Sequence, residues 1–99
     1  MKDEIFSSLE KASLKIFPEF ARNFQVTKPQ DSMHGDWTSN IALIMAKEMK
    51  KNPRELANEI ISALEELDYS EKIEVAGAGF INIYLKEDLF FSQIKNYAL

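Results

Sequence analysis

Two strand-length segments, 71–76 and 80–85, are separated only by Gly77-Ala78-Gly79, and this link restricts the fold more than any other feature of the chain. Glycine reaches backbone conformations closed to other residues, so two glycines in so short a link predict a hairpin. A hairpin commits the chain to an antiparallel sheet and rules out an all-helical fold.

The remaining segments surround that hairpin with helices. Asp3 and Glu4 open a helix at the end where acids favour the dipole. Its apolar positions Ile5, Leu9, Ala12 and Ile16 recur at helical spacing, with Phe6, Ser13 and Phe17 alongside, until Pro18 stops it. Phe24-Gln25-Val26-Thr27-Lys28 alternates apolar with polar up to Pro29 and predicts a strand. Residues 30–36 form a polar loop with Gly35 near its end. Thr38, Ser39 and Asn40 are competent N-caps for a helix over 41–51, whose last turn carries Lys47, Lys50 and Lys51.

Asn52-Pro53-Arg54-Glu55 starts another helix, with Asn as cap and Pro at the first helical position, and Leu56, Ala57, Ile60, Ile61, Leu64 and Leu67 form its stripe. Asp88 caps a last helix carrying Leu89, Phe90, Ile94 and Tyr97. That helix reaches Leu99 with no stop signal, so a longer parent chain is expected to continue beyond it. The order α-β-α-α-β-β-α does not supply a crossover helix between every pair of strands. The expected fold is therefore α+β: one domain over 1–99, a small antiparallel sheet with helices packed on one face.

Composition narrows what such a domain can do. A hydrophobic fraction of 45% with seven Phe supports a packed core and argues against disorder. No apolar run approaches the ~20 residues of a membrane span, and Met1-Lys2-Asp3-Glu4 is not the start of a signal peptide. The absence of cysteine removes disulfide and thiolate chemistry and suits a reducing cytosol. A single His does not furnish a dedicated transition-metal site, which wants several His or Cys ligands. The net charge of −4 counts against a protein that grips nucleic acid chiefly by neutralising phosphates. An RNA partner would have to be met locally, through a few base contacts.

The strand over 80–85 carries the most information about function. Alternation places Ile81, Ile83 and Leu85 on one face and Phe80, Asn82 and Tyr84 on the other. If helices cover the first set, the second is an open platform on which rings stack an unpaired base and an amide reads its edge. The alternative is that both faces are buried, or that Phe80 and Tyr84 only pack under a loop. Met33-His34-Gly35-Asp36-Trp37-Thr38-Ser39-Asn40 offers His34 and Asp36 for acid–base chemistry and Trp37 for stacking. Against this, Gly35 permits a turn, Asp36 bonds backbone amides, Trp37 packs at the core edge, and the next three residues cap a helix. Lys47, Lys50 and Lys51 form a solvated helix end or touch phosphate. No Ser-His-Asp set, phosphate loop or metal cluster is discernible. Gly77-Ala78-Gly79 precedes a strand, whereas a dinucleotide loop must precede a helix.

Four pieces occur in order along the chain. They are His34-Gly35-Asp36-Trp37-Thr38-Ser39-Asn40-Ile41-Ala42-Leu43, then Ala46-Lys47, then Asn52-Pro53-Arg54-Glu55-Leu56-Ala57, then Glu74-Val75-Ala76-Gly77-Ala78-Gly79-Phe80-Ile81-Asn82. Together they resemble the N-terminal domain of arginine–tRNA ligases over nearly the whole chain. Trp37 stands where that family usually has Tyr, and Ala78 where it usually has Pro.

The resemblance implies a domain that precedes a class I catalytic domain and contacts the D-loop at the outer corner of tRNA(Arg), with Phe80 and Asn82 meeting a loop nucleotide. The candidate tRNA-binding set is then Phe80, Asn82, Tyr84 and Gly77, with Trp37 and Lys47 at its margin. The signatures His-Ile-Gly-His and Lys-Met-Ser-Lys are absent, so catalytic residues are not expected here. The implied partners are the tRNA and the catalytic domain of the same chain, in the cytoplasm. No cofactor, metal or membrane is implied for this domain, since ATP and arginine are substrates of the parent enzyme. A purely structural appendage docked on its own catalytic body is the alternative, and it would cover the face of Phe80, Asn82 and Tyr84. A stand-alone small enzyme is disfavoured by the missing nucleophile and metal ligands.

Overall fold

The computed structural model describes residues 2–20, 23–30, 35–64, 67 and 69–86. The helix expected over 88–99 and the side chain of His34 lie outside the described residues. The first helix, α1 (Lys2–Ile16), begins with Asp3 and Glu4 and ends with Lys15 in its last turn, as the helix dipole favours. Of its expected stripe Ile5, Leu9 and Ala12 are buried, with Ser13 beside them, while Ile16 in the last turn is only partly covered. The Ser13 hydroxyl donates to the Glu10 carbonyl at 2.7 Å, which satisfies a polar group whose burial would otherwise be costly. Phe6 stacks on Phe24 with ring centroids 4.2 Å apart, holding the segment before the first strand against α1.

Two further helices, α2 (Ile41–Met49) and α3 (Pro53–Ala63), meet at a corner made by Lys50, Lys51 and Asn52. Lys50 adopts the left-handed conformation, φ 55°, and its backbone N–H donates to the Ala46 carbonyl. Asn52 caps α3 as its sequence position predicts: the side-chain oxygen accepts from the backbone N–H of Arg54 at 2.9 Å and of Glu55 at 3.1 Å. The helix stops at Ala63, short of the stripe that runs on to Leu67. Leu64 is already extended, and the Leu67 carbonyl accepts from both the N–H and the hydroxyl of Ser70 as the chain turns into the sheet.

The sheet has four strands, β1 (Val26–Thr27), β2 (Trp37–Ser39), β3 (Ser70–Ala76) and β4 (Phe80–Leu85), in spatial order β1-β2-β4-β3. Every neighbouring pair is antiparallel. The class is the expected α+β, with one strand more than the sequence pattern suggests. β2 forms where loop and cap residues are expected, because its partner β4 is remote in sequence and a local pattern does not record that pairing.

Asp36 fastens β2 to β4: its N–H donates to the Ile83 carbonyl at 2.9 Å, and its carboxylate accepts the N–H of Leu85, 49 residues on, at 2.7 Å. Gly35 makes the approach possible, since a Cβ there would lie 3.0 Å from the Ile83 oxygen, in a backbone of φ +104°. The expected caps are spent differently. The Asn40 side chain accepts the Gln25 N–H at 2.8 Å, and the Ser39 hydroxyl accepts the Ile41 N–H at 3.2 Å. Ile81 and Ile83 are fully buried together with Val26, Ile41, Met45, Leu56 and Ile60, so among the described residues the helices cover one sheet face.

Candidate functional site

The register of the sheet builds the other face. Thr27 pairs with Thr38, Thr38 with Asn82, and Asn82 with Glu74, so these four side chains form one polar row across all four strands. Phe80 opposite Ala76 makes the row on one side, and Tyr84 opposite Lys72 the row on the other. Between the first two rows lies a shallow depression of about 260 Å³, lined by Pro29, Thr38, Ala76, Gly77, Phe80 and Asn82. That volume lies below the roughly 300–1,000 Å³ of sites that enclose a drug-sized ligand, and it suits one planar ring system.

Phe80 is 41% exposed at the edge of this depression. Asn82 departs from the expected open platform: it is 3% exposed, sunk in the middle of the polar row. The Thr38 hydroxyl donates to its Oδ1 at 2.7 Å. The amide therefore forms part of the floor, and contact with it requires a group that enters the depression.

Tyr84 also departs from the platform reading. Its hydroxyl donates to Glu74 Oε1 at 2.7 Å, and the Lys72 ammonium lies 4.3 Å from its ring centroid. Lys72 and Glu74 close the triangle at 3.8 Å. The hydrogen bond to the Glu74 carboxylate, with lesser help from desolvation and nearby negative charge, raises the Tyr84 pKa and keeps the hydroxyl a donor. Tyr84 is thus occupied by its own cluster and is not among the residues lining the depression.

Gly77 lines the depression in a left-handed conformation, φ +56°, and its carbonyl accepts from the Arg54 guanidinium. Gly79 comes so close to α3 that a Cβ on it would lie 2.7 Å from the Pro53 side chain. The helix start and the hairpin therefore support each other, and Phe80 emerges from an anchored turn.

Trp37 and Lys47 are not brought to this place. Trp37 pairs with Ile83 and so shares the helix-covered face, where the Lys28 ammonium lies 5.6 Å from its ring centroid. Lys47 is exposed on α2 in the helical layer. Sequence reasoning missed Thr38, Pro29 and Arg54 as neighbours of the site. Alternation within Trp37-Thr38-Ser39 was the available signal for Thr38, and it was masked by three good capping residues in a row. Among the described residues no group of three acidic, His or Cys side chains is placed to hold a metal ion. No described helix is long and apolar enough to cross a membrane.

Comparison with known proteins gives a consistent set of relatives. Residues 1–85 match the family described as the arginyl tRNA synthetase N terminal domain. An arginine–tRNA ligase of Psychrobacter is 42% identical over 96 residues, covering 91% of this chain and 16% of that protein. One from Carboxydothermus hydrogenoformans is 40% identical over 88 residues, 86% of this chain and 16% of the other. The chain thus spans about one-sixth of the length of these curated relatives. The crystal structure of arginyl-tRNA synthetase from Plasmodium falciparum has the same fold over 95% of this chain and 17% of that one, with TM-score 0.80 and 24% identity. The arginyl-tRNA synthetase of Thermus thermophilus agrees at TM-score 0.77 and 20% identity, over 94% of this chain and 15% of that one.

Proposed function

From the premise that this chain belongs to the arginyl-tRNA synthetase N-terminal domain family, we propose that it is the tRNA-binding domain of an arginine–tRNA ligase. It meets the D-loop at the outer corner of tRNA(Arg), in the cytoplasm. Aminoacylation, with ATP and arginine as substrates, belongs to a catalytic domain elsewhere in the parent protein. The observation that carries this reading is the pairing of an exposed aromatic, Phe80, with a buried polar amide, Asn82, around one ring-sized depression. An unpaired base stacks on the Phe80 ring and turns its edge down to Asn82, while Gly77, without a side chain, leaves the rim open. Tyr84 contributes at a distance, by holding Glu74 and Lys72 together beside the polar row.

Local recognition of this kind agrees with the acidic balance of the chain, because stacking and edge contacts do not need a basic surface. Losing a base–aromatic stack costs ~1–3 kcal/mol. In the parent enzyme, Phe80→Ala and Asn82→Ala are therefore expected to raise the KM for tRNA by about tenfold or more. The parameters for ATP and arginine should stay near their original values. Wild-type tRNA kinetics in both variants, with the fold intact by circular dichroism, would remove this face from the function and favour a domain that only docks on its catalytic body.

A further inference from the structure

We propose that Thr38 is a positioning residue for base recognition: its hydroxyl fixes the orientation of the Asn82 amide, so that the amide NH2 is the group left to read an unpaired nucleobase. The ligand class this selects is a base edge bearing a hydrogen-bond acceptor, a carbonyl oxygen or an unprotonated ring nitrogen. The inference rests on the RNA-binding reading of the depression and adds to it a residue and a polarity.

A side-chain amide presents a donor at one end and an acceptor at the other, and its two orientations are nearly equal in shape. A site that reads a base must break that symmetry. Thr38 stands directly opposite Asn82 in the β2–β4 register, and its Oγ1 is 2.7 Å from Asn82 Oδ1. The hydroxyl donates its only proton in that bond, which commits the amide oxygen to the side of β2. Asn82 is 3% exposed, so little water competes for the bond. Thr is stiff about χ1 because it branches at Cβ, and here it lies in a strand clasped on both sides. On the far side of Asn82, Glu74 stands opposite in the register, with its carboxylate taken up by the Tyr84 hydroxyl and the Lys72 ammonium, so the NH2 end is the one turned away from the Thr38 bond. The Thr38 bond therefore enforces one orientation. Thr38 itself lines the depression, so the element that orients the amide also shapes the space the base would enter.

The test is an NMR titration of the isotopically labelled 99-residue chain with an unmodified tRNA(Arg) transcript, following the Asn82 side-chain NH2 pair. Thr38→Val keeps the branched shape and removes the hydroxyl, whereas Thr38→Ser keeps the hydroxyl. Thr38→Val is expected to weaken binding about tenfold and Thr38→Ser by no more than about twofold. In the free chain, Thr38→Val should also speed solvent exchange of the Asn82 NH2 protons. In an Asn82→Ala background Thr38→Val should have no further effect on binding, because its influence passes through the amide. If Phe80→Ala and Asn82→Ala weaken binding but Thr38→Val does not, the positioning role is wrong while the RNA-reading face stands. An undiminished effect of Thr38→Val in the Asn82→Ala background has the same meaning. Should the wild-type chain shift nothing at millimolar RNA, or Phe80→Ala and Asn82→Ala bind as the wild type does, the RNA reading itself fails and this inference falls with it.

Discussion

Gly77 and Gly79 lie two residues apart in the same hairpin, yet a methyl group added to each meets opposite surroundings. Around Gly77 nothing lies within 4 Å of the added carbon, and φ +56° is a conformation that other residues reach at moderate cost. At Gly79 the carbon would sit 2.7 Å from the Pro53 side chain and 3.0 Å from its backbone, at φ +142°. Gly79→Ala is therefore expected to destabilise the chain by about 2–4 kcal/mol, and Gly77→Ala by about 1 kcal/mol. Urea unfolding followed by the fluorescence of Trp37, the only tryptophan, measures both; equal losses would mean that the hairpin does not press on α3. At this scale the sequence was informative about residue type and silent about contact. It marked Gly77-Ala78-Gly79 as a turn, but the reason Gly79 must be glycine is Pro53, far back along the chain at the start of α3.

Among the elements, α3 is the one whose local chemistry and tertiary role agree most fully. Asn52 satisfies two of the N–H groups left over at the helix start, and Pro53 supplies the residue on which the hairpin rests. Asn52→Ala is expected to cost about 1 kcal/mol of stability without altering tRNA selection in the parent enzyme. A loss of tRNA discrimination at unchanged stability would contradict this structural assignment. β4 is more demanding, because each of its faces answers to a different layer. Ile81 and Ile83 belong to the core, and Asn82 lies in a polar row on the other side. Alternation was enough to separate these sets. It was not enough to reveal that Asn82 is buried, since among the described residues its neighbours in that row, Thr38 and Glu74, stand on adjacent strands.

For the molecule as a whole, the balance of charge sets the strength of any contact with RNA. A net charge of −4 leaves few cations to displace counterions from phosphates. The 99-residue chain alone is therefore expected to bind a tRNA(Arg) transcript with a Kd above micromolar at physiological salt, and with a shallow dependence on salt concentration. Isothermal titration at several salt concentrations tests this; sub-micromolar affinity, or a steep slope, would show that phosphate contacts dominate. On the function proposed above, the avidity of the parent enzyme would come from joining this weak contact to others on the same tRNA.

The sequence by itself determined the three described helices and the centre of the stripes that α1 and α3 bury, the cap of α3, the hairpin, and the α+β class, because each depends on residues within a few positions of one another. It also separated the two faces of β4, since a period of two is a local property. Tertiary structure alone decided that Trp37-Thr38-Ser39 is a strand, that Asp36 bonds the backbone of β4, and that Tyr84 is engaged by Glu74 and Lys72. It also brought Thr38 and Asn82 within a hydrogen bond of each other while leaving Trp37 on the opposite face. These are pairings between strands far apart in the chain, and their register is fixed by the packing of the whole sheet on its helices rather than by any local pattern.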